Sequence, residues 1–155
     1  MQNLVVIGLG NPLMKDEGIG VHLVKLLRNR VERRKIPSVQ FLDLGTSGFN
    51  VLHAIAYKRK VVFVDCAFMG KVPGTLRRFT PDDICSKKDL KLFSLHEGDL
   101  LRVLALSRQL GEYPAEVIIF GIEPKEVLPG NELTDVLSSK LDEYVNNIEQ
   151  EIFFK

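Results

Sequence analysis

The sequence has little cysteine, almost no net charge and no long hydrophobic run. Its two cysteines, Cys66 and Cys85, are far apart and form no CxxC pair, so they are most simply interpreted as buried or half-buried thiols in a reducing compartment. The formal net charge of +1 supplies no field that would attract nucleic acid or an anionic membrane. No stretch approaches the roughly 18 to 20 apolar residues that span a bilayer. We therefore expect neither nucleic-acid binding nor membrane insertion.

The length and the first residues indicate a single cytoplasmic domain. With 155 residues, of which 45% are hydrophobic, the chain can bury one core but is too short for two ordinary domains. Residues 1–155 are therefore predicted to form one domain. The first apolar run opens without a basic region and breaks at Gly8, so we expect no secretory leader.

Short apolar runs alternate with helical periodicity along the chain. The runs at residues 3–9, 39–44, 61–65, 75–80 and 116–122 are predicted to be strands, and the segments at 21–31, 48–58 and 94–110 to be helices. One apolar stripe from Leu133 to Ile152 predicts a final helix of about five turns. Strands alternating with helices predict an α/β fold, with a mostly parallel sheet covered on both faces. The fourth strand should be antiparallel to the third, because the Pro73-Gly74 turn leaves no room for a helical crossover.

Acidic residues follow two of the predicted strands. Asp16 and Glu17 come after the first strand, and Asp65 closes the third. Functional sites of such sheets gather at the carboxyl ends of the strands. An acid that closes a buried strand also needs a partner, so a helix cap or a structural salt bridge is an equally good interpretation of Asp65 alone.

His96 is the third candidate. The sequence "SLHE" fits a capping box in which Ser94 is the N-cap and Glu97 follows three positions later. His96 would then lie in the first helical turn, where the helix dipole favours the neutral, metal-binding imidazole. Alone, it would be interpreted as a surface histidine.

Together, Glu17, Asp65 and His96 would form a mixed nitrogen and oxygen site suited to zinc or nickel, with coordination positions open for water or substrate. Their separations along the chain are long, so spacing alone does not show that they meet.

The turn before Glu17 resembles a nucleotide-binding loop only in part. Leu13 stands where the dinucleotide fingerprint has its third glycine, and two acids lie where a phosphate would bind.

Five blocks of the sequence resemble, in order, the motifs of the nickel-iron hydrogenase maturation endopeptidases. They are "VVIGLGNPLMKDEGIGVHLV", "LDLGTSGFNVL", "VVFVDCAFMGKVPGTL", "SLHEGDLLRVLAL" and "EVIIFGIEP" with its following "LT". The resemblance implies a phosphorylase/hydrolase-like three-layer α/β/α fold around a twisted five-stranded sheet. It also implies an enzyme that removes a C-terminal extension from the precursor of the hydrogenase large subunit after nickel insertion.

The same resemblance implies roles for individual residues. Glu17, Asp65 and His96 match the family's nickel-contacting residues, and they would act as both metal ligands and catalytic residues. Asp43, Gly45 and Thr46 lie in the block that matches the family's cleft, so they are expected substrate contacts, although Asp43 also fits a turn-capping acid. The nickel would be supplied by the precursor, and no organic cofactor is expected.

Two other functions compete with this interpretation. "IGLGNP" is similar to the opening of bacterial peptidyl-tRNA hydrolases, but the chain continues with "KDEGIGVHLV" instead of that family's "TRHNxG"-like segment. A tRNA-handling enzyme should also have a basic face. The other alternative is a non-catalytic nickel-sensing chaperone of the large subunit.

Overall fold

A computed structural model describes residues 3–34, 38–85 and 99–154 of the chain. Within them lies a five-stranded sheet in the order β2-β1-β3-β5-β4. Four strands are parallel, and β4 is antiparallel to β5. The strands are β1 (Leu4–Leu9), β2 (Val39–Gly45), β3 (Lys60–Cys66), β4 (Leu76–Phe79) and β5 (Glu116–Ile122). The helices are α1 (Ile19–Arg33), α2 (Gly48–Ile55), α3 (Pro81–Cys85), α4 (Asp99–Gln109), α5 (Asp135–Ser138) and α6 (Leu141–Phe154), and a 3-10 turn (Lys15–Gly18) precedes α1.

Alternating side chains of the central strands fill two separate cores. Along β1, Val6 packs with residues of α1 and α6 on one face, while Val5 packs with residues of α2 and α4 on the other. Strands β1 and β3 are buried along their whole length, as continuous apolar strands between two helical layers should be. The predicted α/β fold with three layers and one antiparallel strand is confirmed. No helix within the described parts of the chain is long and apolar enough to cross a membrane.

Helix α1 begins in very close contact with the sheet. A Cβ atom added at Gly20 would lie 2.1 Å from the carbonyl oxygen of Val64 and 2.5 Å from that of Leu9. A Cβ atom added at Gly8 would lie 2.5 Å from the carbonyl oxygen of Gly20. These glycines therefore fix the first turn of α1 against the ends of β1 and β3.

Three details differ from the sequence prediction. The apolar stripe from Leu133 to Ile152 is divided between α5 and α6 by a turn at residues 139–140, where the Lys140 amide donates to the carbonyl of Leu137, three positions back, at 3.1 Å. Strand β4 does run opposite to β3, but it pairs with β5. The 3-10 turn and α3 were not predicted. The predicted capping box at Ser94 lies outside the described residues.

A buried ionic cluster joins α6 to the amino-terminal end of β3. The ammonium of Lys60 lies 3.1 Å from Oε2 of Glu151 and 2.8 Å from Oε1 of Glu116. Arg78 of β4 donates to the other oxygen of Glu151. Burial raises the pKa of Glu151, but the hydrogen bonds from Arg78 and Lys60 outweigh it and hold that pKa below its ordinary value of 4.5. The ionised carboxylate therefore stabilises the fold.

We expect Glu151→Gln to lower the free energy of unfolding at pH 7 by about 2 kcal/mol, because Lys60 loses its buried carboxylate partner and keeps the half-exposed Glu116 and the main-chain carbonyl of residue 151. Since the folded pKa lies below the unfolded one, this stabilisation is fully present above pH 4.5 and is lost as the pH falls through the folded pKa. Urea unfolding from pH 7 to pH 3 measures the difference, with the exposed Glu143→Gln on the same helix as the control. A gap between wild type and Glu151→Gln that stays constant over this range would contradict the assignment.

Candidate functional site

Asp65 and Glu17 lie at the same edge of the sheet, on neighbouring segments. Asp65 is the penultimate residue of β3 and is fully buried. Its Oδ1 accepts a hydrogen bond from the amide of Cys66 at 2.7 Å. Glu17 lies in the 3-10 turn directly before α1 and is partly exposed. The structure therefore brings two of the three predicted ligands to the carboxyl ends of β1 and β3.

Gly10 lies between these two residues. A Cβ atom added there would lie 2.0 Å from the carbonyl oxygen of Glu17 and 3.4 Å from Oδ1 of Asp65. Gly10 also has a φ of +109°, which side-chain-bearing residues rarely adopt. Its amide donates to the carbonyl of Gly45 at 2.9 Å, so the turn after β1 is tied to the end of β2.

The electrostatics of this edge are dominated by carboxylates. Burial raises the pKa of Glu17, and a hydrogen bond from the Asn11 amide opposes this rise. Burial also raises the pKa of the Cys66 thiol, and the negative charges of Asp65 and Glu17 raise it further. A partly desolvated carboxylate favours a nearby cation. The Cys66 thiol, by contrast, stays protonated, which makes it a poor nucleophile.

The third predicted ligand, His96, lies outside the described residues. Among residues 3–34, 38–85 and 99–154, no group of three His, Cys, Asp or Glu side chains is arranged to hold a metal ion. The described part of the site therefore provides two carboxylates, and the predicted three-residue site stays a prediction.

The expected substrate contacts lie beside this pair, on and just after β2. Gly45 ends the strand with a φ of +57° and accepts the hydrogen bond from Gly10. Asp43 and Thr46 on either side of it are exposed. Gly45 therefore shapes the turn that holds Gly10, and the role of Asp43 and Thr46 as substrate contacts stays a prediction.

Two further buried acids at this edge were not recognised as structural anchors in the sequence. Asp16 accepts four hydrogen bonds from the loop after β5. Glu123 accepts from the amides of Met69 and Lys71, at 2.8 and 2.9 Å, and so holds the loop after β3. Glu123 follows a buried apolar strand in the sequence, which is the same signal that drew attention to Asp65.

A family model described as hydrogenase maturation protease matches residues 21–151. The chain belongs to the hydrogenase maturation protease family. This confirms the family predicted from the ordered sequence motifs and does not support the peptidyl-tRNA hydrolase alternative.

Curated relatives carry related names. The hydrogenase expression/formation protein HoxM of Azotobacter vinelandii is 34% identical over 126 residues, which are 81% of this chain and 59% of that protein. The hydrogenase 2 maturation protease of Escherichia coli is 30% identical over 141 residues, which are 90% of this chain and 84% of that protein. The matched part of the chain thus spans about three-fifths of the length of some relatives and most of the length of others.

Solved structures of the family share the fold. The hydrogenase-maturating endopeptidase HybD from Escherichia coli superposes with a TM-score of 0.80 at 27% identity, covering 97% of this chain and 91% of that one. The nickel-iron hydrogenase maturation protease HybD from Thermococcus kodakarensis has a TM-score of 0.76 at 24% identity, with 96% and 98% coverage. At 24% identity, the Thermococcus kodakarensis structure shows only that the two chains share a fold.

We expect Gly10→Ala to be far more destabilising than Gly70→Ala. Both glycines have positive φ angles, but an added Cβ at Gly70 meets nothing within 4 Å. Gly70→Ala should therefore cost about 1 kcal/mol for the backbone conformation. Gly10→Ala adds a clash with the Glu17 carbonyl and should cost at least about 3 kcal/mol. Chemical denaturation of both variants measures this, and equal losses would show that Gly10 has no steric role.

Proposed function

We propose that this chain is an endopeptidase that removes the C-terminal extension from a nickel-iron hydrogenase large-subunit precursor after nickel insertion. The observation that carries the proposal is the placement of Glu17 and Asp65 on either side of Gly10 at the same strand ends, in a chain of the hydrogenase maturation protease family. The reducing cytoplasm expected from the cysteine pattern is part of the same proposal.

The nickel ion is proposed to belong to the precursor and to act as a recognition element. Carboxylate and imidazole donors both suit nickel. Glu17 and Asp65, together with His96, would complete the coordination shell of a nickel ion that the precursor already holds. A precursor without nickel would bury the negative charge of this edge without bringing a cation to it, which desolvation disfavours.

Cleavage of the extension requires addition of water across the scissile C–N bond, and the attacking water must lose a proton. A metal ion can lower the pKa of a bound water to about 7. A neighbouring carboxylate can accept the proton as a general base. Glu17 fits either as a ligand of that metal ion or as the general base, because burial raises the pKa of its carboxylate and the residue is partly exposed at the surface. Thiolate attack is not favoured at Cys66, since its thiol is buried among carboxylates.

The test is a processing assay with purified large-subunit precursor, prepared with and without nickel and followed by mass spectrometry. We expect loss of the extension only from the nickel-loaded precursor. Glu17→Gln, Asp65→Asn and His96→Ala should each slow cleavage at least about 100-fold, because each removes a ligand or an acid–base group. His53→Ala is the matched histidine control, since His53 is exposed on α2.

Each other outcome contradicts a stated part of the proposal. Normal cleavage by all three folded variants would show that the site is assigned to the wrong residues. Equal cleavage of nickel-loaded and nickel-free precursor would remove the recognition role of the metal. Tight binding with unchanged precursor mass would indicate a nickel-sensing chaperone, and hydrolysis of peptidyl-tRNA would indicate an esterase.

A further inference from the structure

We propose that Asp16 is a positioning residue that sets the place of Glu17 by anchoring the 3-10 turn to the loop after β5. This inference rests on the proposed function, because it assigns a purpose to the placement of Glu17. Asp16 is fully buried, whereas its neighbour Glu17 is partly exposed at the site. The two adjacent acids would therefore have different roles.

The side chain of Asp16 binds a segment more than 100 positions away. Its Oδ2 accepts from the amides of Lys125 and Glu126, at 2.9 and 3.1 Å, and from the hydroxyl of Thr134 at 2.8 Å. Its Oδ1 accepts from the amide of Thr134 at 2.8 Å. These four donors, three amides and one hydroxyl, satisfy a carboxylate that would otherwise be costly to bury.

The backbone around Asp16 is held by the same loop. The Asp16 amide donates to the carbonyl of Glu126 at 3.2 Å, and the Lys15 amide donates to that of Gly130 at 2.9 Å. The Gly130 amide in turn donates to the carbonyl of Leu13 at 2.9 Å. The Lys15 ammonium lies 2.7 Å from Oε2 of Glu126. The turn and the loop are thus joined by both side chains and backbone.

The turn needs this support because its conformation is not one that the local sequence prefers. Lys15 has a φ of +47°, a left-handed conformation that is unfavourable for a residue with a side chain. The N-cap position, Met14, makes no side-chain capping hydrogen bond to the turn. Since Glu17 is the next residue after Asp16 in the same short turn, any relaxation of the turn moves the Glu17 carboxylate relative to Asp65.

An amide cannot replace the Asp16 carboxylate. The four donors converge on two oxygens, and asparagine offers only one acceptor oxygen, while its NH₂ group would face an N–H donor. Asp16→Asn should therefore release the turn, whereas Thr134→Val removes only the hydroxyl contact and keeps the amide donor in place.

The experiment compares Asp16→Asn, Thr134→Val and Glu151→Gln by urea unfolding and by kcat/KM for cleavage of nickel-loaded precursor, at a temperature where all are folded. Glu151→Gln is the stability control, because Glu151 bonds Lys60 at the opposite end of β3, roughly 16 Å along the strand from Asp65. We expect kcat/KM to fall at least 10-fold in Asp16→Asn, to fall less in Thr134→Val and to stay within twofold of wild type in Glu151→Gln. An equal effect of Asp16→Asn and Glu151→Gln on cleavage would overturn the inference.

A crystal structure of each variant separates this inference from the proposed function. The Glu17 carboxylate should shift by more than 1 Å relative to Asp65 in Asp16→Asn (a shift on the order that costs catalytic geometry) and should not move in Glu151→Gln. If wild type cleaves no precursor, the proposed function fails, but the crystal structures still decide the positioning role. An unmoved Glu17 in Asp16→Asn would reject that role whatever the cleavage assay shows.

Discussion

The close contact between the first turn of α1 and the carbonyls that end β1 and β3 is the constraint on which the site depends. Gly20 approaches Val64 and Leu9 so nearly that no side chain fits between them. The residues just before α1 are therefore fixed above the same two strand ends. Asp65 closes one of those strands. The start of α1 is consequently held near Asp65 by backbone packing, which is more rigid than contact between flexible side chains, and the hydrogen bonds of Asp16 hold the turn that carries Glu17.

The acids at this edge differ in function because they differ in their hydrogen-bond donors. Asp16 and Glu123 are buried, and amides of neighbouring loops satisfy them. Their carboxylates hold the loops after β3 and β5 in place. Glu17 is partly exposed, and burial outweighs the one amide that opposes the rise of its pKa. A nearby cation would therefore stabilise its charged form.

The sequence predicts the layers and the sheet well, because continuous apolar strands and helical spacing depend on local pattern. Strand β5, for example, has the predicted bounds. The sequence predicts one continuous helix because the apolar stripe continues past the turn at residues 139–140 and faces the same core. The role of Asp16 could not be predicted, since its donors lie more than 100 residues away. No local pattern distinguishes an acid that anchors a loop from an acid that meets a ligand.

The glycine-rich turn after β1 resembles a nucleotide-binding loop in its close backbone packing but not in its charge. In nucleotide-binding loops, glycines let the backbone approach a phosphate near a helix N-terminus. In this chain, Gly10 makes room for the Glu17 carbonyl and the Asp65 carboxylate. Glu17 thus lies in the turn directly before α1, where a phosphate would bind in a nucleotide-binding loop. Because the negative charge belongs to the protein itself, this edge favours a cation over an anion.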